Sequence, residues 1–145
     1  MKPARFAAVA AIALMGALAG CTSTTGNDET FMLAYIEGID VGNANVVVPE
    51  TAVAGEPFQV EMTTIWNNGC MRKGKLEVST DPEWVFITPY DILGEVTAGC
   101  SGGVTKFVHT SMVTFNSPGT AHVYIQGRSP DNEEVLTLDY EVVVQ

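Results

Sequence analysis

From Leu136 to Val144 the chain alternates strictly. Leu136, Leu138, Tyr140, Val142 and Val144 share one parity, and Thr137, Asp139 and Glu141 share the other. A period of two puts all the apolar side chains on one side of an extended strand, whereas a helix would scatter them around its axis. The same period recurs upstream. Phe58, Val60 and Met62 alternate with Gln59, Glu61 and Thr63; Leu76 and Val78 with Lys75, Glu77 and Ser79; and Ala121, Val123 and Ile125 with His122, Tyr124 and Gln126. Each run predicts a strand with one dry and one wet face, as in antiparallel sheets that pack on one side.

Turn chemistry separates these runs. Ala54-Gly55-Glu56-Pro57, Ser117-Pro118-Gly119 and Ser129-Pro130-Asp131-Asn132 combine residues that fix φ, allow positive φ or bond their own backbone. Asn67-Asn68-Gly69 suits positive φ between two strands. Val46-Val47-Val48 is a short strand stopped by Pro49, which marks a sheet edge. Trp84 to Ile87 is apolar on both sides, so it is either a central strand or a partner contact. Lys106 to Phe115 is a long strand whose register the pattern leaves open. No segment after the N-terminal run has a persuasive amphipathic helical pattern.

About seven to eight short strands in about 115 residues is the size of an immunoglobulin-like sandwich. Phe115-x-x-Pro118-Gly119-Thr120-x-x-Val123-x-Ile125 resembles the penultimate-strand run of many bacterial Ig-like domains. Ala121 departs from that pattern, where an aromatic is common. The resemblance implies an all-β, Ig-like antiparallel sandwich and no particular function, because such sandwiches host many roles.

The N-terminus carries an address. Lys2 and Arg5 precede the apolar run Phe6 to Leu18, which is the length of a signal h-region and too short to span a bilayer. Leu18-Ala19-Gly20-Cys21 closes it and resembles the lipobox of bacterial lipoproteins. That resemblance implies cleavage before Cys21 and a diacylglycerol thioether on its sulfur, often with a third, amide-linked chain such as palmitate. Two or more acyl chains hold stably at a membrane where one does not. The organisation expected is a signal peptide over 1–20, a lipidated cysteine with a polar tether over 21–30, and one domain over 31–145. If the cell has two membranes, Thr22 after the cysteine points to the outer one by resemblance to lipoprotein sorting.

Charge narrows the partners. The chain has 7 basic and 17 acidic side chains. Lys2 and Arg5 leave with the signal, so the mature chain keeps 5 basic against 17 acidic, a net of −12. Such a surface does not neutralise phosphates, which excludes nucleic acid. It is also repelled by anionic headgroups, leaving the lipid to do the anchoring. The basic cluster Arg72-Lys73-x-Lys75 reads as a solvated strand face or as ion-pair partners. Three cysteines would be odd in an exported protein. With Cys21 lipidated, Cys70 and Cys100 remain, and an oxidising envelope favours pairing them. They lack the close second cysteine or histidine of a zinc site. The bridge is expected to pin loops or strand ends near Asn68-Gly69 and Gly99.

Other constellations fit chemistry less well. Gly99-Cys100-Ser101-Gly102-Gly103 matches the G-x-S-x-G pattern of serine hydrolases. That elbow needs a following helix, and here a strand follows; no Asp or Glu lies between Ser101 and His122. Met62, Met71, His109, Met112 and His122 are of a type that suits copper. Cys100, His109 and Met112 follow the cupredoxin order but are spread along a strand. Parity makes Met62 a core residue, puts His109 with Phe107 and Val113 as a partly buried histidine with a local partner, and puts His122 on the wet face. The weak metal candidates are therefore His109, Met112 and His122. Asp40, Asn43 and Asn45, and Asp131, Asn132, Glu133 and Glu134, could offer oxygens to calcium, but neither run matches an EF-hand loop and both read first as turns. Trp66, Trp84, Tyr90 and Tyr124 are the aromatics that could face solvent, with Tyr124 on the outer parity.

The chain thus reads as a lipid-anchored envelope module without catalysis or cofactor. It would meet an envelope protein or glycan through its outer faces, the apolar run at Trp84, or the edge at Val46. The alternatives are a copper-binding lipoprotein and a carbohydrate-binding or adhesion module. An enzyme is the weakest class.

Overall fold

A computed structural model describes residues 29–94 and 99–145. The expected signal segment, the lipobox-like run with Cys21 and the expected tether up to Asp28 lie outside the described residues. The architecture is an all-β, Ig-like sandwich of two open sheets. Its strands are β1 (Thr30–Leu33), β2 (Val46–Val47), β3 (Thr51–Ala52), β4 (Phe58–Trp66), β5 (Met71–Thr80), β6 (Trp84–Leu93), β7 (Thr105–Val113), β8 (Gly119–Arg128) and β9 (Val135–Val144). The seven expected strands are all present. The two added ones, β1 and β3, are four and two residues long, too short for alternation to register. β1 opens at Thr30, the last residue expected in the tether.

The larger sheet runs β1-β6-β8-β9-β3, with β5 also paired to β6. Trp84–Ile87 is therefore central: β5 lies along one edge of β6, while β8 and β1 divide the other. The smaller sheet is β2-β4-β7, which puts Val46–Val47 at an edge. Most pairs are antiparallel, but β6–β8 and β3–β9 are parallel. The chain crosses between sheets at Tyr35 and Ile36, which bridge to Arg128 and Thr64 respectively.

Alternation sets the core. Val60 and Met62 from the smaller sheet meet Val85, Ile87, Ala121, Val123, Ile125, Val142 and Val144 from the larger one, and Phe115 closes the end. A second cluster gathers Ala34, Trp66 and Met71, with Met32 and Phe107 against it. Trp66 is thus a core residue rather than a surface aromatic. Val78 has core parity yet stays 45 % exposed, because β5 is an edge strand with no neighbour beyond it in its sheet. The pairing with β4 fixes the open register of β7: Phe107, His109, Ser111 and Val113 turn inward, while Lys106, Val108, Thr110 and Met112 are exposed.

Candidate functional site

Two polar arrangements stand out, one sealed in the core and one on the surface. The sealed one centres on Asp91, fully buried on β6. Its Oδ2 accepts bonds from Thr64 Oγ1 at 2.7 Å and Trp66 Nε1 at 2.6 Å, both on β4. Its Oδ1 meets His109 Nε2 on β7 at 2.8 Å and the Gly74 amide on β5 at 3.4 Å. A carboxylate only accepts, so Nε2 carries the shared proton. Burial pushes the Asp91 carboxyl up, but the bonds from His109, Trp66 and Thr64 and the attraction of His109 together hold it below the usual range. The approach of Gly74 depends on its lacking a side chain. A Cβ there would run into the Tyr90 carbonyl oxygen, at the bulge between Lys73 and Leu76. The Asp91, His109, Thr64 and Trp66 side chains of this network are buried, and together they join the two sheets.

The surface arrangement is the outer face of the larger sheet. Trp84, Phe86 and Tyr90 on β6 have the parity opposite to Val85, Ile87 and Asp91. Register places Trp84 beside His122 and His122 beside Glu141; one row on, Phe86 lies beside Tyr124 and Tyr124 beside Asp139. Two successive rows therefore carry a ring on β6, a ring on β8 and a carboxylate on β9. The imidazole of His122 stacks on Tyr124 with centroids 5.7 Å apart and planes 7° from parallel. Its Nδ1 meets Asp139 Oδ1 at 2.9 Å. Phe86 and Tyr124 lie 6.1 Å apart. Trp84, Phe86, Tyr124 and Thr137 line a shallow apolar hollow on this face.

Farther along the same face, the Lys75 ammonium sits 4.9 Å from the Phe31 ring centre and 5.7 Å from that of Tyr90. Lys75 also bonds Glu77 at 2.7 Å, and Arg72 reaches Glu29 at 3.4 Å. These residues of the basic cluster are ion-pair partners on an exposed strand.

The metal candidates are kept apart. His109 is held in the core by Asp91, Met112 projects from the opposite face of β7 and is 62 % exposed, and His122 lies on the outside of the other sheet. Among the described residues no group of three His, Cys, Asp or Glu could hold a metal ion. Asn45 bonds Glu37 at 3.1 Å. The run at Asp131 closes the β8–β9 turn, where the Glu134 amide bonds Asn132 Oδ1 at 3.0 Å and Glu133 takes a positive φ of 61°. Ser101 precedes β7, with its carbonyl accepting from the Gly69 amide at 3.1 Å. Cys70 and Cys100 form a disulfide with their Cα atoms 5.1 Å apart. It joins the turn before β5 to the loop before β7, at the expected strand ends.

Sequence reasoning missed Asp91. A signal was present, since Asp91 shares the core parity of Val85 and Ile87. An acid at a core position needs buried donors. Comparison with protein-family models, curated proteins and solved structures finds no match to this chain.

Proposed function

We propose that this chain is a non-catalytic interaction module, anchored in a bacterial envelope membrane by lipid on Cys21. The two-row face of Trp84, His122 and Glu141 with Phe86, Tyr124 and Asp139 is its docking surface. The observation that carries this reading is the set of half-buried aromatics on the wet side of a sheet whose dry side already holds a complete core. A ring left on the surface forgoes part of its burial, and a partner that covers it restores that gain. The tether after Cys21 gives the domain reach from the membrane, and the net charge of −12 holds it off anionic headgroups.

The anchor is tested by growing cells with a labelled fatty acid. The wild-type protein is expected to take up label and to fractionate with membranes, and Cys21→Ala to lose both. Label persisting in that variant contradicts the anchor.

A further inference from the structure

We infer that the outer aromatic face binds an extended, basic peptide segment, with lysine or arginine side chains seated on the rings and paired with Asp139 and Glu141. This rests on the docking surface proposed above and adds the chemistry of its partner.

The molecule carries its own precedent. On the same outer face, the Lys75 ammonium lies over the rings of Phe31 and Tyr90 and is held by a carboxylate, Glu77. Ring faces carry negative potential and attract a cation, and a neighbouring carboxylate adds to that pull. The rows at Trp84 and Phe86 repeat the three parts: a ring from β6, a ring from β8 and a carboxylate from β9. Among the described residues the cation–π contacts are those of Lys75 and of Arg128 over Tyr35, and none falls on Trp84, Phe86 or Tyr124. The titratable groups in these two rows are His122, Tyr124, Asp139 and Glu141. His122 sits at the side, bonded to Asp139, and leaves Glu141 exposed.

Charge favours a cationic occupant over a neutral sugar. The mature chain is strongly acidic, so a basic partner is drawn to it and a neutral one is not. Geometry favours a peptide over a lipid headgroup, whose phosphate would face Asp139 and Glu141. The two rows are two residues apart along the strand, about 6.5–7 Å. Alternate side chains of an extended peptide repeat at the same interval, so basic residues at i and i+2 meet successive rows.

The test titrates the full chain, held in a non-ionic, sugar-free detergent, with the blocked peptide Lys-Thr-Lys-Thr-Lys, following the heat of binding by calorimetry. The same peptide with glutamine for lysine and a neutral N-acetylglucosamine tetramer serve as comparisons. The lysine peptide is expected to bind at least about tenfold more tightly than either. Trp84→Ala, and separately Asp139→Asn with Glu141→Gln, should each weaken it about tenfold, as should raising salt from about 0.05 to 0.5 M. Asp139 and Glu141 are exposed, so their replacement leaves the core intact even if Trp84→Ala does not fold. Equal binding of the glutamine peptide or the sugar, unmoved by the charge changes, overturns the basic partner while leaving the docking surface standing. No saturable binding of the lysine peptide also overturns it, and crosslinking of that face in cells then decides separately whether it docks anything.

Discussion

The His109 imidazole on β7 meets the Asp91 carboxylate on β6 at 2.8 Å with both side chains sealed from solvent. A second histidine–aspartate pair, His122 with Asp139, has nearly the same length, 2.9 Å, but its side chains are 36 % and 52 % exposed. The two pairs are chemically alike and differ in surroundings, so their energetic roles separate. The buried pair joins the sheets, while the exposed one orients a ring on the outer face of the larger sheet.

Asp91→Ala is expected to destabilise the domain by about 3–5 kcal/mol, because it leaves Trp66 Nε1, Thr64 Oγ1 and His109 without their shared acceptor in the core. Asp139→Ala should cost no more than about 1 kcal/mol, as for exposed ion pairs. Urea unfolding of both variants beside the wild type measures the difference. Equal losses would contradict the distinction.

Acid should weaken the domain through Asp91. Its carboxyl is held below the ordinary value of 3.8 in the folded state, so the unfolded chain binds that proton first as pH falls. The stabilisation is complete above the unfolded pKa and is lost as pH drops through the lower folded value. The stability difference between wild type and Asp91→Asn should shrink as pH falls below about 4. Unfolding curves at a series of pH values check this, and a difference that grows in acid would reverse the assignment.

Non-reducing peptide mapping should recover Cys70 linked to Cys100. Replacing both by serine should lower stability by about 2–4 kcal/mol while the β-sheet circular dichroism persists, since the main core cluster contains no residue next to either cysteine. Free alkylation of both thiols in protein taken from its native compartment would contradict the pairing.

Much of the fold is legible as parity. Val60, Met62, Val123, Ile125, Val142 and Val144 are buried where alternation puts them, because a strand with one dry face has only one way to stand. What parity cannot convey is which strands meet. The parallel contact of β6 with β8 joins runs separated by β7 and its loops, and it alone brings Trp84 beside His122. Asp91 is similar: its side-chain partners lie 18 to 27 residues away, so the expected local partner for His109 is instead a carboxylate from the opposite sheet. On the surface, the outer parity of Tyr124 and His122 was readable, but the two-row arrangement with Asp139 and Glu141 exists only once β6, β8 and β9 are in register.

Whether the outer aromatic face docks a partner is decided by site-specific photocrosslinking in cells. A photoreactive residue at Thr137, beside the hollow of Trp84, Phe86 and Tyr124, is compared with one at Thr110, exposed on the other sheet. A discrete adduct is expected from Thr137 that disappears when Trp84→Ala is added, and none from Thr110. No adduct from Thr137, or equal adducts from both positions, would contradict the docking surface.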